Sequence, residues 1–229
     1  LNVINMVQFH EDVRADMTVF VHPNDHPYDS DLVLVESNGL VSAIKPHPHS
    51  FDDYTGNLVN AAFYVVNKTC LSQIDYNGRA MDFAQNVIPD ILSNSIVYAY
   101  QTPEFLKDMG TPSRLSKARN IYENRFRDDG NNKVICFDRD GTLNKCMEGE
   151  YITNVDSFKL IEGVSEAVST LRNLGFFLVC VTNQPVIARG DISLDGLSAI
   201  HLKMDWLLGV ENAYFDGIYF CPHHTDSGY

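Results

Sequence analysis

The sequence has few cysteines and no long apolar run. Its five cysteines, odd in number and scattered along 229 residues, exclude a dense disulfide framework and favour a reducing compartment, which we expect to be the cytoplasm. No apolar stretch reaches the roughly 18 residues that a membrane-spanning helix needs, and no signal-peptide pattern opens the chain. We therefore expect a protein without a membrane partner.

Positive charge is also scarce. The chain carries 17 Lys and Arg residues against 30 Asp and Glu residues, a net charge of −13, and neither half has a basic excess. A nucleic-acid partner therefore has no electrostatic support in this composition. An anionic substrate would need local basic residues, backbone amides or a metal ion to offset the negative field.

Length and composition predict a globular protein with one large or two modest domains. The run 119–132 is charged and ends in turn-forming residues, so it predicts a helix end followed by a linker. We therefore expect a first domain over 1–118, a linker over 119–132 and a second domain over 133–229. The alternation of apolar strand-like runs with helical spacing predicts α/β domains on both sides of the linker.

One stretch of the second half combines a buried strand with two acids. The apolar run Val134–Phe137 leads into Asp138 and Asp140, and a Gly-Thr step then turns the chain away. Side chains two apart along a strand face the same side, so both carboxylates can meet at the carboxyl end of the strand, where open α/β sheets bind ligands. Close carboxylates repel unless a cation or shared proton relieves them, which favours a Mg²⁺ site for phosphate chemistry. An acidic turn is the alternative that D-x-D alone would favour.

A second polar strand end lies one strand–helix unit further along the chain. The apolar run Phe176–Val181 predicts a strand covered on both faces, and Thr182 and Asn183 follow it. A hydroxyl and side-chain amides ahead of a new helix suit a phosphate group, although a plain strand cap would explain Thr-Asn alone. Arg189, in the V-I-A-R-G segment, is a candidate for binding a second anionic group.

Together these motifs resemble those of the haloacid dehalogenase superfamily of phosphotransferases. The combination D-R-D-G-T-L-N, V-T-N-Q-x-x-I-A-R-G and D-G-I-Y-x-C-P-H-H is similar to that of heptose 1,7-bisphosphate phosphatases, which share a subfamily with histidinol phosphatases. The resemblance covers Lys133–His224. It implies a parallel-sheet domain without a large cap, with Asp138 as the nucleophile and Asp140 as the general acid and base.

The same resemblance implies two metal ions. Asp138 and the backbone carbonyl of Asp140 would bind Mg²⁺, while Thr182 would bind the transferring phosphate. Cys221 and His223 would supply two of the four ligands of a structural Zn²⁺. The family's Cys-x-Cys pair, its later Lys and its last Mg²⁺-binding Asp would lie beyond the end of this sequence.

The first half resembles the second half of sugar-1-phosphate nucleotidyltransferases, through the order of its motifs. A strand ending in Lys-Pro, an N-x-x-N-A-x-x-Y-V strand and an L-K-D-x-G-T-P turn follow one another. The resemblance implies a Rossmann-like domain in which Lys45 holds the sugar phosphate, Asn60 contacts the sugar and Asp108 ligates Mg²⁺. A nucleoside triphosphate would be the co-substrate.

This first half also departs from the nucleotidyltransferase pattern. The glycine-rich phosphate loop and the first metal-binding Asp have no counterpart, and Ala62 stands where the family usually has Gly. The chain begins with Leu and ends just after the Cys-Pro-His-His segment. We therefore expect a fragment of a longer protein, in which this half is not a complete transferase, the phosphatase domain is incomplete at its C-terminal end, and the fragment itself is inactive.

The leading hypothesis is a bifunctional enzyme of sugar-nucleotide synthesis. Its phosphatase would release the 7-phosphate of a heptose 1,7-bisphosphate, and its transferase would join the remaining 1-phosphate to a nucleoside monophosphate, releasing pyrophosphate. A phosphatase for histidinol phosphate is the first alternative. The second is a non-catalytic module that binds a ligand or zinc.

Overall fold

The computed structural model describes residues 2–50, 52, 54–72, 74–76, 78, 80–102, 104–107, 109–126, 133–146 and 150–224. The chain forms two compact units, one of Leu1–Pro23 with Pro27–Glu104 and one of Asn24–His26 with Phe105–Tyr229. The units divide earlier than the predicted boundary at residue 118, because 119–125 continue a helix of the second unit. The rest of the predicted linker, 127–132, lies outside the described residues.

The predicted α/β class is confirmed in both units. The first unit contains a mixed sheet of five strands, and the second contains a parallel sheet of three strands. Within the described residues no helix has both the length and the apolar character needed to cross a membrane. All five cysteines are free thiols.

The first unit follows the strand and helix order that the sequence predicts. Its elements are α1 (Val3–Asp12), β1 (Met17–His22), β2 (Leu32–Val35), β3 (Val41–Lys45), β4 (Val59–Val66), α2 (Lys68–Leu71), a π-helical turn (Phe83–Val87) that continues into α3 (Ile88–Leu92), and β5 (Val97–Gln101). The strand order is β3-β2-β4-β1-β5, in which β1 and β5 are parallel and the other neighbours antiparallel.

Strand β1 lies at the centre of the first unit's core. Its first five residues are all buried, as its continuous apolar run predicts, because β4 and β5 flank it. The Asp82 carboxylate accepts a hydrogen bond from Gln85 N at 2.8 Å, as an N-cap of the turn that leads into α3. The apolar core consists of Met17, Val19, Val21, Val33, Val41, Cys70, Val87, Ile88, Ile91 and Val97.

The second unit begins with helix α4 (Pro112–Arg125) and continues as alternating strands and helices. The elements are β6 (Val134–Phe137), α5 (Val164–Asn173), β7 (Phe177–Asn183), α6 (Leu194–Val210) and β8 (Gly217–Cys221), with a short 3-10 turn at Val155–Ser157. The strands pair in parallel in the order β6-β7-β8. The carboxyl ends of β6 and β7, where the sequence places its polar motifs, are therefore neighbours.

The helices of the second unit pack against this sheet. Val168 of α5 and Ile200 and Met204 of α6 are fully buried, and they join Leu178 and Cys180 of β7 in one core. Helix α6 begins at Leu194 because the Ser193 side chain accepts a hydrogen bond from Gly196 N as an N-cap. This packing fixes the strand ends that carry the candidate site.

Candidate functional site

The two predicted carboxylates open into one cavity at the carboxyl edge of the parallel sheet. Strand β6 ends at Phe137, so both acids lie in the turn that follows the strand. The cavity has a volume of about 690 Å³, and it is lined by Asp138, Asp140, Gly141, Thr142, Cys146, Glu150, Tyr151, Val181, Thr182 and Asn183. The fold thus brings together the four residues that the sequence places at the ends of β6 and β7.

The two carboxylates of this cavity have different surroundings. Asp138 is exposed, and its Oδ1 accepts a hydrogen bond from the backbone N–H of Arg139 at 2.7 Å. Asp140 is largely enclosed, with a side chain that is 11% exposed. The accessible carboxylate is suited to attack a ligand in the cavity, and the enclosed one is suited to a fixed position beside it.

Asp140 is held by hydrogen-bond donors on both of its oxygens. Oδ1 accepts from Arg139 Nε at 3.2 Å, Arg139 Nη2 at 3.1 Å and Asn144 Nδ2 at 3.1 Å. Oδ2 accepts from Arg139 Nη2 and from Gln184 Nε2, both at 2.8 Å. Charge-assisted bonds to both oxygens fix the plane of the carboxylate.

Gln184 joins the ends of the two strands. Its amide Nε2 donates to Asp140 Oδ2 at 2.8 Å and lies 3.0 Å from Thr182 Oγ1, and the residue is fully buried. Its backbone N–H donates to Cys221 O of β8 at 2.7 Å. Thr182 is 3% exposed and Asn183 is exposed, and both line the cavity.

Sequence reasoning missed Arg139, Gln184 and His201 as parts of this site. Arg139 has a fully buried side chain, and its Nη1 lies 3.3 Å from His201 Nε2 on α6. The sequence does show an arginine between two acids at the end of an apolar strand. The guanidinium of such an arginine is either exposed to water or paired with the neighbouring carboxylates, so Arg139 could have been considered as a partner of the two acids.

The oxygen atoms around the cavity fit a small divalent cation. Asp138 offers an exposed carboxylate and Asp140 a second one, and both line the cavity. The amide oxygens Asn144 Oδ1 and Gln184 Oε1 are buried without a hydrogen-bond partner in the described structure, but neither residue lines the cavity. Among the described residues, no group of three or more His, Cys, Asp or Glu side chains could hold a metal ion. Mg²⁺ matches this donor set, because it commonly binds one or two carboxylates and keeps several waters.

Arg189 lines a second cavity that adjoins the first. This cavity has a volume of about 330 Å³, and it is lined by Glu150, Tyr151, Thr153, Val186, Arg189 and Asp191. Glu150 and Tyr151 line both cavities. The Arg189 guanidinium lies 5.2 Å from the centre of the Tyr151 ring, and its Nε lies 3.1 Å from Asp191 Oδ2. The cation is therefore next to the carboxylate cavity and not within it.

The predicted zinc ligands lie close together at the end of β8. Cys221 Sγ is 3.4 Å from His223 Nδ1, and both residues are exposed. Two ligands do not make a zinc site, because structural zinc takes four. The described residues supply no third ligand to this pair.

Two of the three predicted transferase residues, Lys45 and Asn60, are in the first unit. Lys45 pairs with Leu32 across β3 and β2, and Leu32 also pairs with Val59 of β4, so Lys45 lies level with Val59, the residue before Asn60. The Asn60 amide binds within its own strand, donating to Tyr64 Oη at 2.9 Å and accepting from Ala62 N at 3.0 Å. Asp108 lies outside the described residues.

Comparison with curated proteins finds similarity to heptose bisphosphatases. The chain is 46% identical over 95 residues to D-glycero-β-D-manno-heptose-1,7-bisphosphate 7-phosphatase of Haemophilus influenzae, covering 42% of this chain and 50% of that protein. It is 43% identical over 91 residues to the protein of that name from Escherichia coli, covering 40% and 47%. The chain spans about half the length of the curated relatives it matches. No protein-family model matches the chain.

Comparison with solved structures finds similarity to proteins of two kinds. A D,D-heptose 1,7-bisphosphate phosphatase from B. bronchiseptica, in complex with magnesium and phosphate, is 33% identical over 42% of this chain and 54% of its own, with a TM-score of 0.40. HddC from Yersinia pseudotuberculosis, in complex with GMP-PN, is 15% identical over 52% of this chain and 48% of its own, with a TM-score of 0.41.

Proposed function

We propose that the second unit is the catalytic part of a Mg²⁺-dependent phosphatase that acts through a phosphoaspartate on a heptose 1,7-bisphosphate. The observation that carries the proposal is the cavity in which Asp138, Asp140 and Thr182 meet at the carboxyl edge of a parallel sheet. The sequence similarity to heptose 1,7-bisphosphate 7-phosphatases supports this substrate. Release of the 7-phosphate would leave a sugar 1-phosphate.

In the first step, a carboxylate oxygen of Asp138 attacks phosphorus and the bond from phosphorus to the sugar oxygen breaks. Asp140 donates a proton to the leaving sugar oxygen. The Thr182 hydroxyl binds an oxygen of the transferring phosphate. When bound, Mg²⁺ would be held by Asp138 and the backbone carbonyl of Asp140, and it would offset the negative charge of the phosphate and carboxylates.

In the second step, water attacks the phosphorus of the phosphoaspartate. Asp140 removes a proton from that water, and the Asp138 carboxylate is regenerated as phosphate leaves. Because both Asp140 oxygens accept N–H donors, adding a proton to either oxygen requires one contact to open. Gln184 is suited to open its contact, since its amide also donates to Thr182 Oγ1 at 3.0 Å and stays held there when the bond to Asp140 opens.

A substrate with two phosphates suits the pair of adjoining cavities. The phosphate that reacts would lie against Asp138, and the second would lie toward Arg189 in the neighbouring cavity. Asp191 pairs with Arg189 at 3.1 Å, so a bound phosphate would replace or share that ion pair. An arginine fork is well matched to phosphate oxygens.

We propose further that the first unit is part of a sugar-1-phosphate nucleotidyltransferase that uses a nucleoside triphosphate. Lys45 would bind the sugar phosphate, Asn60 would contact the sugar, and Asp108 would ligate Mg²⁺. Cys221 and His223 would contribute to a structural zinc site. The product of the phosphatase would then be the substrate of the transferase.

The phosphatase proposal is tested by phosphate release from D-glycero-D-manno-heptose 1,7-bisphosphate, using the full-length protein with Mg²⁺ and with EDTA. We expect Mg²⁺-dependent release that Asp138→Asn abolishes, and slower release from histidinol phosphate. Faster release from histidinol phosphate would favour that substrate instead. No release from either compound by the folded chain would contradict the proposal and favour a module that only binds its ligand.

A further inference from the structure

Arg139 places a fully buried guanidinium beside the proposed acid and base. Burial of a guanidinium is costly unless its N–H groups find acceptors. Nε and Nη2 donate to the Asp140 carboxylate at 2.8–3.2 Å. The remaining nitrogen, Nη1, lies 3.3 Å from His201 Nε2. The orientation of the guanidinium therefore depends on two acceptors, Asp140 on one side and His201 on the other.

The chemistry of arginine fixes the protonation state of His201. A guanidinium only donates hydrogen bonds, so His201 Nε2 must accept and carry no proton. The imidazole is then neutral with its proton on Nδ1. Burial, followed by the positive charge of Arg139, lowers the pKa of His201 to about 4, which agrees with a neutral ring at neutral pH.

His201 is itself held in a fixed place. It lies on α6 beside Ile200 and one turn before Met204, both of which are fully buried in the core. Its ring centre is 5.9 Å from that of Phe220 on β8, with an angle of 54° between the planes. The acceptor for Arg139 is thus carried by helix α6 and lies beside a ring on strand β8.

We propose that His201 is a positioning residue, which acts on Asp140 through Arg139. The inference rests on the proposed phosphatase function, because it assigns His201 to the orientation of the general acid and base. Loss of the His201 acceptor leaves Arg139 Nη1 as a buried donor without a partner. The guanidinium then turns toward another acceptor, and the Asp140 carboxylate turns with it. The described contacts of His201 do not include Asp138, so substrate binding at the nucleophile is retained.

The catalytic test compares two substitutions at His201 in the full-length protein. His201→Leu removes the acceptor, and His201→Gln keeps a side-chain oxygen that can accept from Arg139. With D-glycero-D-manno-heptose 1,7-bisphosphate and Mg²⁺, we expect His201→Leu to lower kcat by about 10- to 100-fold at unchanged KM, because small displacements of a catalytic group have effects of this size. His201→Gln should recover most of kcat, and Ser198→Ala on the same helix should match the wild type. Equal kcat in both His201 variants would overturn the proposal.

A spectroscopic test does not depend on turnover. Long-range ¹H–¹⁵N NMR spectra of the wild-type chain should show His201 as a neutral ring with the proton on Nδ1. The ¹³Cγ resonance of Asp140 should shift in His201→Leu and stay near its wild-type position in His201→Gln. A proton on Nε2, or an Asp140 resonance indifferent to both variants, would overturn the proposal. If these signatures are present but no ester is hydrolysed, the proposed function alone fails.

Discussion

Arg125 Nη2 lies 2.6 Å from Asp216 Oδ1 in the interior of the second unit, where the two side chains are 2% and 8% exposed. The two groups form an ion pair, although the geometry of the contact is not that of a hydrogen bond. Arg172 Nη2 lies 3.2 Å from the same oxygen, and Asp216 Oδ2 accepts from Leu178 N at 2.8 Å. One buried carboxylate therefore connects the end of α4 to α5 and β7.

Removal of this carboxylate should strongly destabilise the second unit. Asp216→Ala leaves the guanidinium groups of Arg125 and Arg172 buried without their anion, and breaking such a pair costs about 3–5 kcal/mol. Urea unfolding followed by Trp206 fluorescence measures this loss, because Trp206 is the single tryptophan and is fully buried in the second unit. Asp216→Asn, which keeps an acceptor for Leu178 N–H, should lose less. An unchanged free energy of unfolding in Asp216→Ala would contradict the stabilising role of the Asp216 carboxylate.

The contact between Gly175 and α4 yields a second prediction. Gly175 has φ +90°, and a Cβ there would lie 2.5 Å from Asn124 C and O and 2.8 Å from Arg125 N. Gly163 is a matched control, because its φ is +84° and a Cβ would meet nothing within 4 Å. Gly163→Ala should cost only backbone strain, about 1–2 kcal/mol. Gly175→Ala should cost clearly more in the same Trp206 unfolding measurement, and equal losses would show that α4 does not pack against this turn.

Much of the site's position follows from the sequence. An apolar run followed by acids predicts a strand end, and a second apolar run followed by Thr182 and Asn183 predicts its neighbour. Because parallel strands bring their carboxyl ends to one edge, both motifs were expected together, and all four residues line one cavity. The reason given for the two acids was incomplete, however. Strand β6 ends at Phe137, so the turn and not strand alternation directs Asp138 and Asp140.

The hydrogen-bond network behind the acids could not be predicted from the sequence. His201 meets Arg139 only because α6 packs over the sheet with that face inward, and sequence spacing does not specify which helix covers which strand. Gln184 follows Thr182 and Asn183, yet it is fully buried and turns back to Asp140 at 2.8 Å. Such contacts depend on tertiary packing, which one chain's residue pattern does not contain.

Backbone strain at Ala62 gives a third prediction, in the first unit. Ala62 has φ +53° and lies where the register between β1 and β4 shifts, between the pairs Val19–Tyr64 and Val21–Asn60. The left-handed region costs a non-glycine residue about 1–2 kcal/mol, and replacement by glycine removes this cost. Glycine also makes the unfolded chain more flexible, which offsets about 0.5–1 kcal/mol of the stabilisation. Ala62→Gly should therefore stabilise the first unit by about 0.5–1 kcal/mol.

Hydrogen exchange of β4 peptides, measured by mass spectrometry, tests this expectation at the bulge itself. Exchange that reports unfolding of the first unit should slow in Ala62→Gly. Ala61→Gly is the matched control, because Ala61 lies next to Ala62 in the same irregular stretch but has an ordinary φ, so Ala61→Gly should lose stability by about 0.5–1 kcal/mol. The same direction of change in both variants would show that Ala62 is not strained.

The buried neutral His201 makes the stability of the second unit depend on pH. Its pKa is about 4 in the folded chain, lowered first by burial and then by Arg139, against an ordinary value of 6.5. Between these values the unfolded chain binds a proton that the folded chain does not, so the contribution of His201 to stability falls as pH decreases from about 6.5 toward 4. Asp205, whose pKa burial raises to about 7, acts in the opposite direction in both proteins, so the comparison with a His201 variant isolates His201. The full effect is roughly 3 kcal/mol. Urea unfolding followed by Trp206 at pH 7.5 and 4.5, with EDTA present, should show a smaller loss in His201→Gln than in the wild type. Equal losses in the two proteins would mean that His201 does not remain neutral on folding.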